Sequence, residues 1–144
     1  MSKFTETEYV SRKGILKFPD HYVAMPVMVD DAGVTPDEHG KKIVKAGTIV
    51  GGKNGSVFSS LNVPVMDKVV VNVDTVTNED TVTAAGAEGV LMYDVDVTYG
   101  PKDGAMIVHG FIKIDALPYG DPAKVVVAVQ NGAAQAFSMI KFVK

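Results

Sequence analysis

Three histidines, His21, His39 and His109, are the first residues of this chain that could take part in catalysis or metal binding. His21 and His39 lie in polar, turn-rich surroundings, so we expect both side chains to be solvated. His109 shares a predicted strand face with Ile107 and Phe111, and we expect it at the edge of the core with one hydrogen-bond partner. No pair stands at a metal-binding spacing such as His-x-x-x-His, and the sequence predicts no metal site.

Two carboxylates, Asp94 and Asp96, project from one face of a predicted strand because they are two positions apart. Such a pair could exchange protons in a small hydrolase or bind a hard cation. One face of an antiparallel sheet commonly stays in contact with water, and we favour that simpler interpretation.

Residues 47–54, Gly-Thr-Ile-Val-Gly-Gly-Lys-Asn, approach the pattern of a phosphate-binding loop but depart from it at the last position. That motif requires Ser or Thr where this chain has Asn54, and a helix must follow it. The pair Asn54-Gly55 instead favours the turn of a β-hairpin. The chain has no cysteine and no Gly-x-Ser-x-Gly sequence, so we predict no catalytic residue, no cofactor-binding residue and no enzymatic activity.

The composition suits one globular domain, with 144 residues, a formal net charge of −3 and an apolar fraction of 47%. The single arginine, Arg12, and the lack of clustered basic residues argue against nucleic-acid binding. The polar, acidic N-terminus is unlike a signal peptide, and the longest apolar run, residues 23–29, is far shorter than the ~20 residues of a membrane span. We therefore expect folding in a reducing cytoplasm and no membrane partner.

Short runs of valine, isoleucine and threonine alternate with turn residues, a pattern typical of an all-β domain. Asp121-Pro122 is typical of a helix start and Asn131-Gly132 of a helix end. Strands are predicted at residues 43–50, 57–65, 69–77, 90–99, 105–114 and 137–143. The predicted fold is mainly β, a small mixed or antiparallel barrel or sandwich with one short helix near the C-terminus. An extended N-terminal arm, residues 1–20, precedes the β-rich domain, residues 21–144.

Residues 90–99 form the clearest two-faced strand, and we expect them to pair with residues 105–114 as an antiparallel hairpin. The apolar face of this strand carries Leu91, Tyr93, Val95, Val97 and Tyr99, and the opposite face carries Val90, Met92, Asp94, Asp96 and Thr98.

Three segments together form a recognisable pattern. Residues 87–98 read Ala-Glu-Gly-Val-Leu-Met-Tyr-Asp-Val-Asp-Val-Thr, residues 104–112 read Gly-Ala-Met-Ile-Val-His-Gly-Phe-Ile, and residues 46–50 read Ala-Gly-Thr-Ile-Val. The pattern resembles the lambda-type head decoration proteins of tailed bacteriophages. Residues 121–144 of this chain also resemble the C-terminal part of those proteins. The resemblance extends over about residues 46–144, apart from the threonine-rich segment 73–84, and it implies a β-tulip-like domain.

The resemblance implies a structural virion protein that is made in the host cytoplasm and binds the outer surface of the expanded icosahedral capsid. Its partners would be the major capsid protein and itself, as homotrimers at threefold and quasi-threefold positions that bridge capsid subunits. An N-terminal arm commonly makes the capsid contact by adding a strand to a capsid sheet. The anchors implied for this arm are Phe4, Tyr9, Ile15, Leu16 and Phe18.

Other interpretations stay open at this point. Residues 15–18 could be the first strand of the core. The chain could be a soluble β-barrel carrier domain of the lipoyl or biotinyl kind, which needs an accessible lysine at a hairpin tip, and Lys53 and Lys102 lie in predicted turns. A small β hydrolase would use Asp94 and Asp96, with the pKa of at least one of them raised by burial.

Overall fold

The computed structural model describes residues 14–60, 62–77, 80–132 and 139–144. This part of the chain is mainly β, with a single α-helix near the C-terminus, which confirms the predicted fold class. The elements are β1 (Tyr22–Val29), β2 (Ile43–Val44), β3 (Ile49–Gly52), β4 (Val65–Asp67), β5 (Val70–Val73), β6 (Asp80–Thr83), β7 (Gly89–Leu91), β8 (Val95–Asp96), β9 (Lys102–Lys113), a 3-10 turn (Ile114–Ala116), α1 (Pro122–Gly132) and β10 (Ile140–Val143). No helix among the described residues is long and apolar enough to cross a membrane.

The main sheet has six strands in the order β1-β4-β3-β7-β9-β10. Strand β1 also pairs with β9 along its whole length, from Tyr22 opposite Gly110 to Val29 opposite Lys102. At its far end, Val29 of β1 pairs with Val65 of β4. Because β1 contacts both β4 and β9, the hydrogen-bonded order closes into a circuit that leaves only β10 outside it. The pairs β2–β8 and β5–β6 form two further small sheets.

Both faces of the central strands are buried, because two separate apolar clusters flank them. Neighbouring residues of one strand enter different clusters, as Met106 and Ile107 of β9 do. The first cluster, beneath α1, contains Ile15, Ile49, Ala84, Ala87, Val90, Ile107, Ile112, Leu117, Val125, Val126, Val129 and Ile140. The second contains Val27, Val29, Val44, Val50, Val57, Val65, Leu91, Val95, Val97 and Met106.

Helix α1 begins and ends where the sequence predicts. The Asp121 side chain accepts a hydrogen bond from the backbone N–H of Lys124 at 3.3 Å, and Pro122 is the first helical residue. Valine is a weak helix former, but Val125, Val126 and Val129 are buried against the sheet, and this burial offsets their low propensity. The helix forms the crossover between β9 and β10, which are parallel and therefore need a long connection.

The predicted single strand at residues 90–99 is wrong in its extent. Strand β7 pairs with β3 and β9, but the chain then leaves the main sheet, and β8 pairs with β2 instead. The break comes where Asp94 Oδ1 accepts a hydrogen bond from the backbone N–H of Ala46 at 2.8 Å. Beyond the break Val95 and Val97 are buried as expected, whereas Tyr93 and Tyr99 are exposed. The predicted hairpin with residues 105–114 is reduced to two pairs, Val90 with Ile107 and Leu91 with Met106.

The predicted hairpin between residues 43–50 and 57–65 is present but shorter, with β3 antiparallel to β4. The return strand begins only at Val65, because a buried carboxylate, Glu88, holds the preceding loop. Its Oε2 accepts backbone hydrogen bonds from Gly52 at 2.8 Å and Val57 at 3.0 Å, and its Oε1 accepts one from Ser56 Oγ. The last strand, predicted at residues 137–143, is β10; residues 137 and 138 lie outside the described part of the chain.

We expect Glu88→Ala to lower the free energy of unfolding by about 2–4 kcal/mol, because two buried backbone N–H groups lose their acceptor, each costing about 1–3 kcal/mol. Glu88→Gln keeps one acceptor oxygen and should lie between Glu88→Ala and the parent protein. Urea denaturation measures both values. Equal stability of Glu88→Ala and the parent protein would contradict the role assigned to this carboxylate.

Candidate interaction surface

The start of the described chain is already part of the domain. Ile15 is buried in the first apolar cluster, and Leu16 packs against that cluster and pairs with Ile112 of β9. The backbone N–H of Lys17 donates to Phe111 O at 2.9 Å, and that of Lys113 donates to Ile15 O at 2.8 Å. Ile15 and Leu16 therefore stabilise the domain through an isolated β-bridge and apolar packing, and in this conformation Ile15 offers no surface to a partner.

The other predicted capsid anchors lie elsewhere. Phe18 is half exposed and meets Phe111 edge-on, with ring centroids 5.2 Å apart at an interplanar angle of 84°. Phe4 and Tyr9 lie outside the described residues. Among the described members of the predicted set, Phe18 has an exposed side chain, Leu16 is half buried and Ile15 is buried.

A groove of about 390 Å³ lies where the chain enters the domain at Gly14. The groove lies at the C-terminal end of β9. There Lys113 donates a backbone hydrogen bond to Ile15 O and pairs with Val143 of β10. The groove is lined by the first described residues, by the residues that follow β7 and by the last residue of β9: Gly14, Ile15, Leu16, Lys17, Pro19, Met92, Tyr93 and Lys113. This entry groove presents apolar and aromatic surface beside Gly14 and Ile15, the first residues that the structure describes.

The β5–β6 hairpin carries the most exposed apolar strand surface among the described residues. Val71 of β5 pairs with Val82 of β6, so the two side chains share a face, and Val73 lies on it two residues further along. At the base of this face Val69 and Val82 are half buried against the first apolar cluster. Further out Val71 is 52% and Val73 66% exposed. The valine face, Val69, Val71, Val73 and Val82, therefore extends beyond the edge of the domain.

A second apolar groove, of about 710 Å³, adjoins the valine face between β6 and α1. Val127 on its helical wall is 54% exposed. The other lining residues are mostly small: Val82, Thr83, Ala84, Ala85, Asp121, Ala123, Lys124, Ala128 and Asn131. Exposed apolar surface that is continuous over two elements marks sites of protein interaction.

The carboxylates Asp94 and Asp96 serve the local backbone. Asp94 accepts the hydrogen bond from Ala46 that breaks the strand. Asp96 Oδ1 accepts hydrogen bonds from the backbone N–H of Thr98 at 3.0 Å and from its hydroxyl, and these bonds lower the pKa of Asp96. A hydrolase built on this pair needs a pKa raised by burial, whereas the pKa of Asp96 is lowered.

Neither lysine considered for a covalent cofactor is at a free hairpin tip. Lys53 Nζ lies 2.8 Å from Oδ2 of the buried Asp30, and this ion pair lowers the pKa of Asp30. Lys102 is the first residue of β9 and pairs with Val29. The geometry therefore gives the carrier interpretation no support.

One carboxyl group with a raised pKa, that of Asp67, escaped the sequence analysis. Desolvation by burial raises the pKa of Asp67 and also that of Tyr119. The Tyr119 hydroxyl donates a hydrogen bond to Asp67 Oδ1 at 3.1 Å. The same hydroxyl accepts the backbone N–H of Ile49 at 2.9 Å. The pair ties the segment before α1 to β3 and β4, and we assign it a structural role.

The three histidines also differ from expectation in one respect. His39 is exposed in its loop, as predicted. His21 and His109, 88 positions apart, were predicted as separate residues, but the structure brings their Nε2 atoms to 3.1 Å. No spacing motif could have found this pair, because only the pairing of β1 with β9 creates it.

The chain matches no protein-family model, no curated protein and no solved structure. Its functional interpretation thus depends on the geometry above and on the short motifs of the sequence.

We expect Lys53→Met to lower the free energy of unfolding at pH 7 by about 1–2 kcal/mol, because it leaves Asp30 buried and unpaired while partial exposure of Lys53 moderates the cost. The lowered pKa of Asp30 means that the pair stabilises the fold above about pH 4, the unfolded value, and that this contribution is lost as the pH falls through the folded value.

Urea denaturation of Lys53→Met and the parent protein should therefore show two curves that converge as the pH is lowered from 7 to 3. Lys102→Met is the matched control and should change stability by less than about 0.5 kcal/mol. A difference between Lys53→Met and the parent that is independent of pH would contradict the ion pair as its cause.

Proposed function

We propose that this protein is a non-enzymatic structural component of a phage head, which binds the outer surface of the expanded icosahedral capsid and stabilises it by bridging major capsid subunits. The observation that carries the proposal is the valine face, because a small β domain that exposes a continuous apolar strand face is suited to contact other proteins. The resemblance of residues 46–50, 87–98 and 104–112 to decoration proteins supplies the capsid as the partner.

We assign the valine face and the adjoining groove to contacts between copies of this chain in a homotrimer. The groove between β6 and α1 is apolar and lies beside the face, so a neighbouring copy could cover both at once. Burial of apolar surface is the main favourable term in association of this kind. The valine face lies on one side of the domain in a hairpin of its own, which leaves the remaining surface for the capsid.

The capsid contact is assigned to the N-terminal arm. Since Ile15 and Leu16 are held on the domain, the anchors that remain for the capsid are Phe4, Tyr9 and Phe18. Phe18 and the entry groove lie where the arm joins the domain. Docking by strand addition would combine main-chain hydrogen bonds with pockets for these aromatic side chains.

The primary experiment is co-sedimentation of the protein with emptied, expanded capsids of tailed phages, followed by cryo-electron microscopy of the pellet. Density on the outer surface at threefold and quasi-threefold positions is the expected result. Failure to bind every expanded capsid tested would contradict the proposal.

We expect deletion of residues 2–13 to leave the fold intact, because Ile15 and every later core residue remain, while capsid affinity falls. Phe4→Ala combined with Tyr9→Ala should lower capsid affinity by at least ~10-fold, since buried aromatic anchors dominate binding at interfaces. Tyr99→Ala, at a fully exposed aromatic residue of the domain, is the control. If both arm variants bind capsids as the parent protein does, the contact lies on the β domain.

We expect Val71→Thr combined with Val73→Thr to shift the homotrimer toward monomers of about 15.3 kDa. Threonine keeps the β-branched shape and the strand propensity but adds a hydroxyl group to the contact. The control is Val70→Thr, which changes an equally exposed valine on the opposite face of the same strand. Light scattering after size-exclusion chromatography measures the mass, and a parent protein that is monomeric at high concentration would contradict self-association.

A further inference from the structure

The pair His21 and His109 is unusual because two rings from distant parts of the chain meet on the surface. His21 directly precedes β1, and His109 lies within β9, where it pairs with Val23. Their Nε2 atoms are 3.1 Å apart, and the ring centroids are 5.0 Å apart at an interplanar angle of 57°.

Both rings are held in place by their surroundings. His109 belongs to β9, which pairs with β1, β7 and β10. The backbone N–H of His21 donates to Phe18 O at 3.1 Å, and its ring lies 5.9 Å from that of Phe111. Ligands that project from rigid elements with packed side chains are positioned more precisely than ligands on free loops.

We propose that His21 and His109 form a two-histidine binding site for a divalent transition-metal ion such as Zn²⁺, Ni²⁺ or Cu²⁺. Imidazole nitrogen suits these ions, whereas Ca²⁺ and Mg²⁺ prefer oxygen ligands. Two nitrogens at about 2.0–2.1 Å from one ion, at tetrahedral or octahedral angles, stand about 2.9–3.4 Å apart. The observed separation of 3.1 Å falls within this range.

Metal binding requires both Nε2 lone pairs to point at one ion. Without metal, one ring donates its Nε2–H to the Nε2 of the other across the same distance. For metal binding the donor ring carries its proton on Nδ1 instead, which frees both Nε2 lone pairs for the ion. Rotation about χ2 of histidine is a soft torsion and aims the two lone pairs at a common point. The described residues contain no group of three or more His, Cys, Asp or Glu side chains that could hold a metal. Water therefore completes the coordination, and the site is exchangeable.

Isothermal titration calorimetry of the untagged, chelator-washed protein with ZnCl₂ tests the proposal. We expect one Zn²⁺ per chain. His21→Asn and His109→Asn should each weaken binding by about 10–100-fold, because loss of a ligand costs at least as much as loss of an outer-shell partner. The double variant should show no specific binding. His39→Asn, which changes the third histidine of the chain at a distant exposed loop, is the matched control and should bind as the parent protein does.

Electron paramagnetic resonance with one equivalent of Cu²⁺ gives an independent readout, because splitting by ligand nitrogens counts the coordinated imidazoles. Two nitrogens are expected in the parent protein and one in each single variant. Circular dichroism without metal should show the same fold for all variants, since both rings lie at the surface. Zn²⁺ binding by the double variant equal to that of the parent, or a Cu²⁺ spectrum with fewer than two imidazoles, would overturn the site.

Discussion

Burial of β9 on both faces is the constraint on which the rest of this structure depends. Its neighbouring residues Met106 and Ile107 enter different apolar clusters, so neither face can be left to water. On one face, β1 and β4 contribute Val27, Val29 and Val65 to the second cluster. On the other face, α1 and the buried Ile15 contribute to the first cluster. Helix α1 and Ile15 cover this second face, whereas β10 and the bridge at Leu16 hydrogen-bond to β9 within the sheet.

Several carboxylate side chains stabilise loops that pack against the main sheet. Glu88 accepts hydrogen bonds from two backbone N–H groups and one hydroxyl group, at Gly52 of β3 and in the β3–β4 loop. Asp94 accepts one from the backbone N–H of Ala46 at the point where the strand ends. Asp30 is neutralised by Lys53. A buried acceptor that satisfies several donors fixes a loop more firmly than any turn propensity, because each unsatisfied donor would be costly. These acidic residues therefore have identifiable structural roles in the loops that they hold.

Features suited to interaction lie at the surface of the scaffold, and the valine face belongs to a different sheet from the strand that carries the entry groove and the histidine pair. The valine face extends from the β5–β6 hairpin, the entry groove lies at the Lys113 end of β9, and the histidine pair is on the β1 side of the same strand. A domain arranged in this way can contact a second copy and a larger assembly through different surfaces. This division of surfaces fits a protein that bridges subunits, since each contact can form without distorting the core.

Local structure could be predicted from the sequence: a mainly β chain, the hairpin turn at Asn54-Gly55, the helix that starts after Asp121, and the alternation of Val69, Val71 and Val73. These features depend on neighbouring residues, through turn geometry, helix capping and the two-residue period of a strand. Local signals predicted the β3–β4 hairpin, but the pairings between strands distant in the chain emerged only in the folded domain. The long pairing of β1 with β9, the division of residues 90–99 between two sheets and the meeting of His21 with His109 join residues far apart in the chain. Periodicity identifies the apolar face of a strand but not which strand pairs with it. Periodicity also presumes that the other face is solvent-exposed, whereas all three residues of β7 are buried.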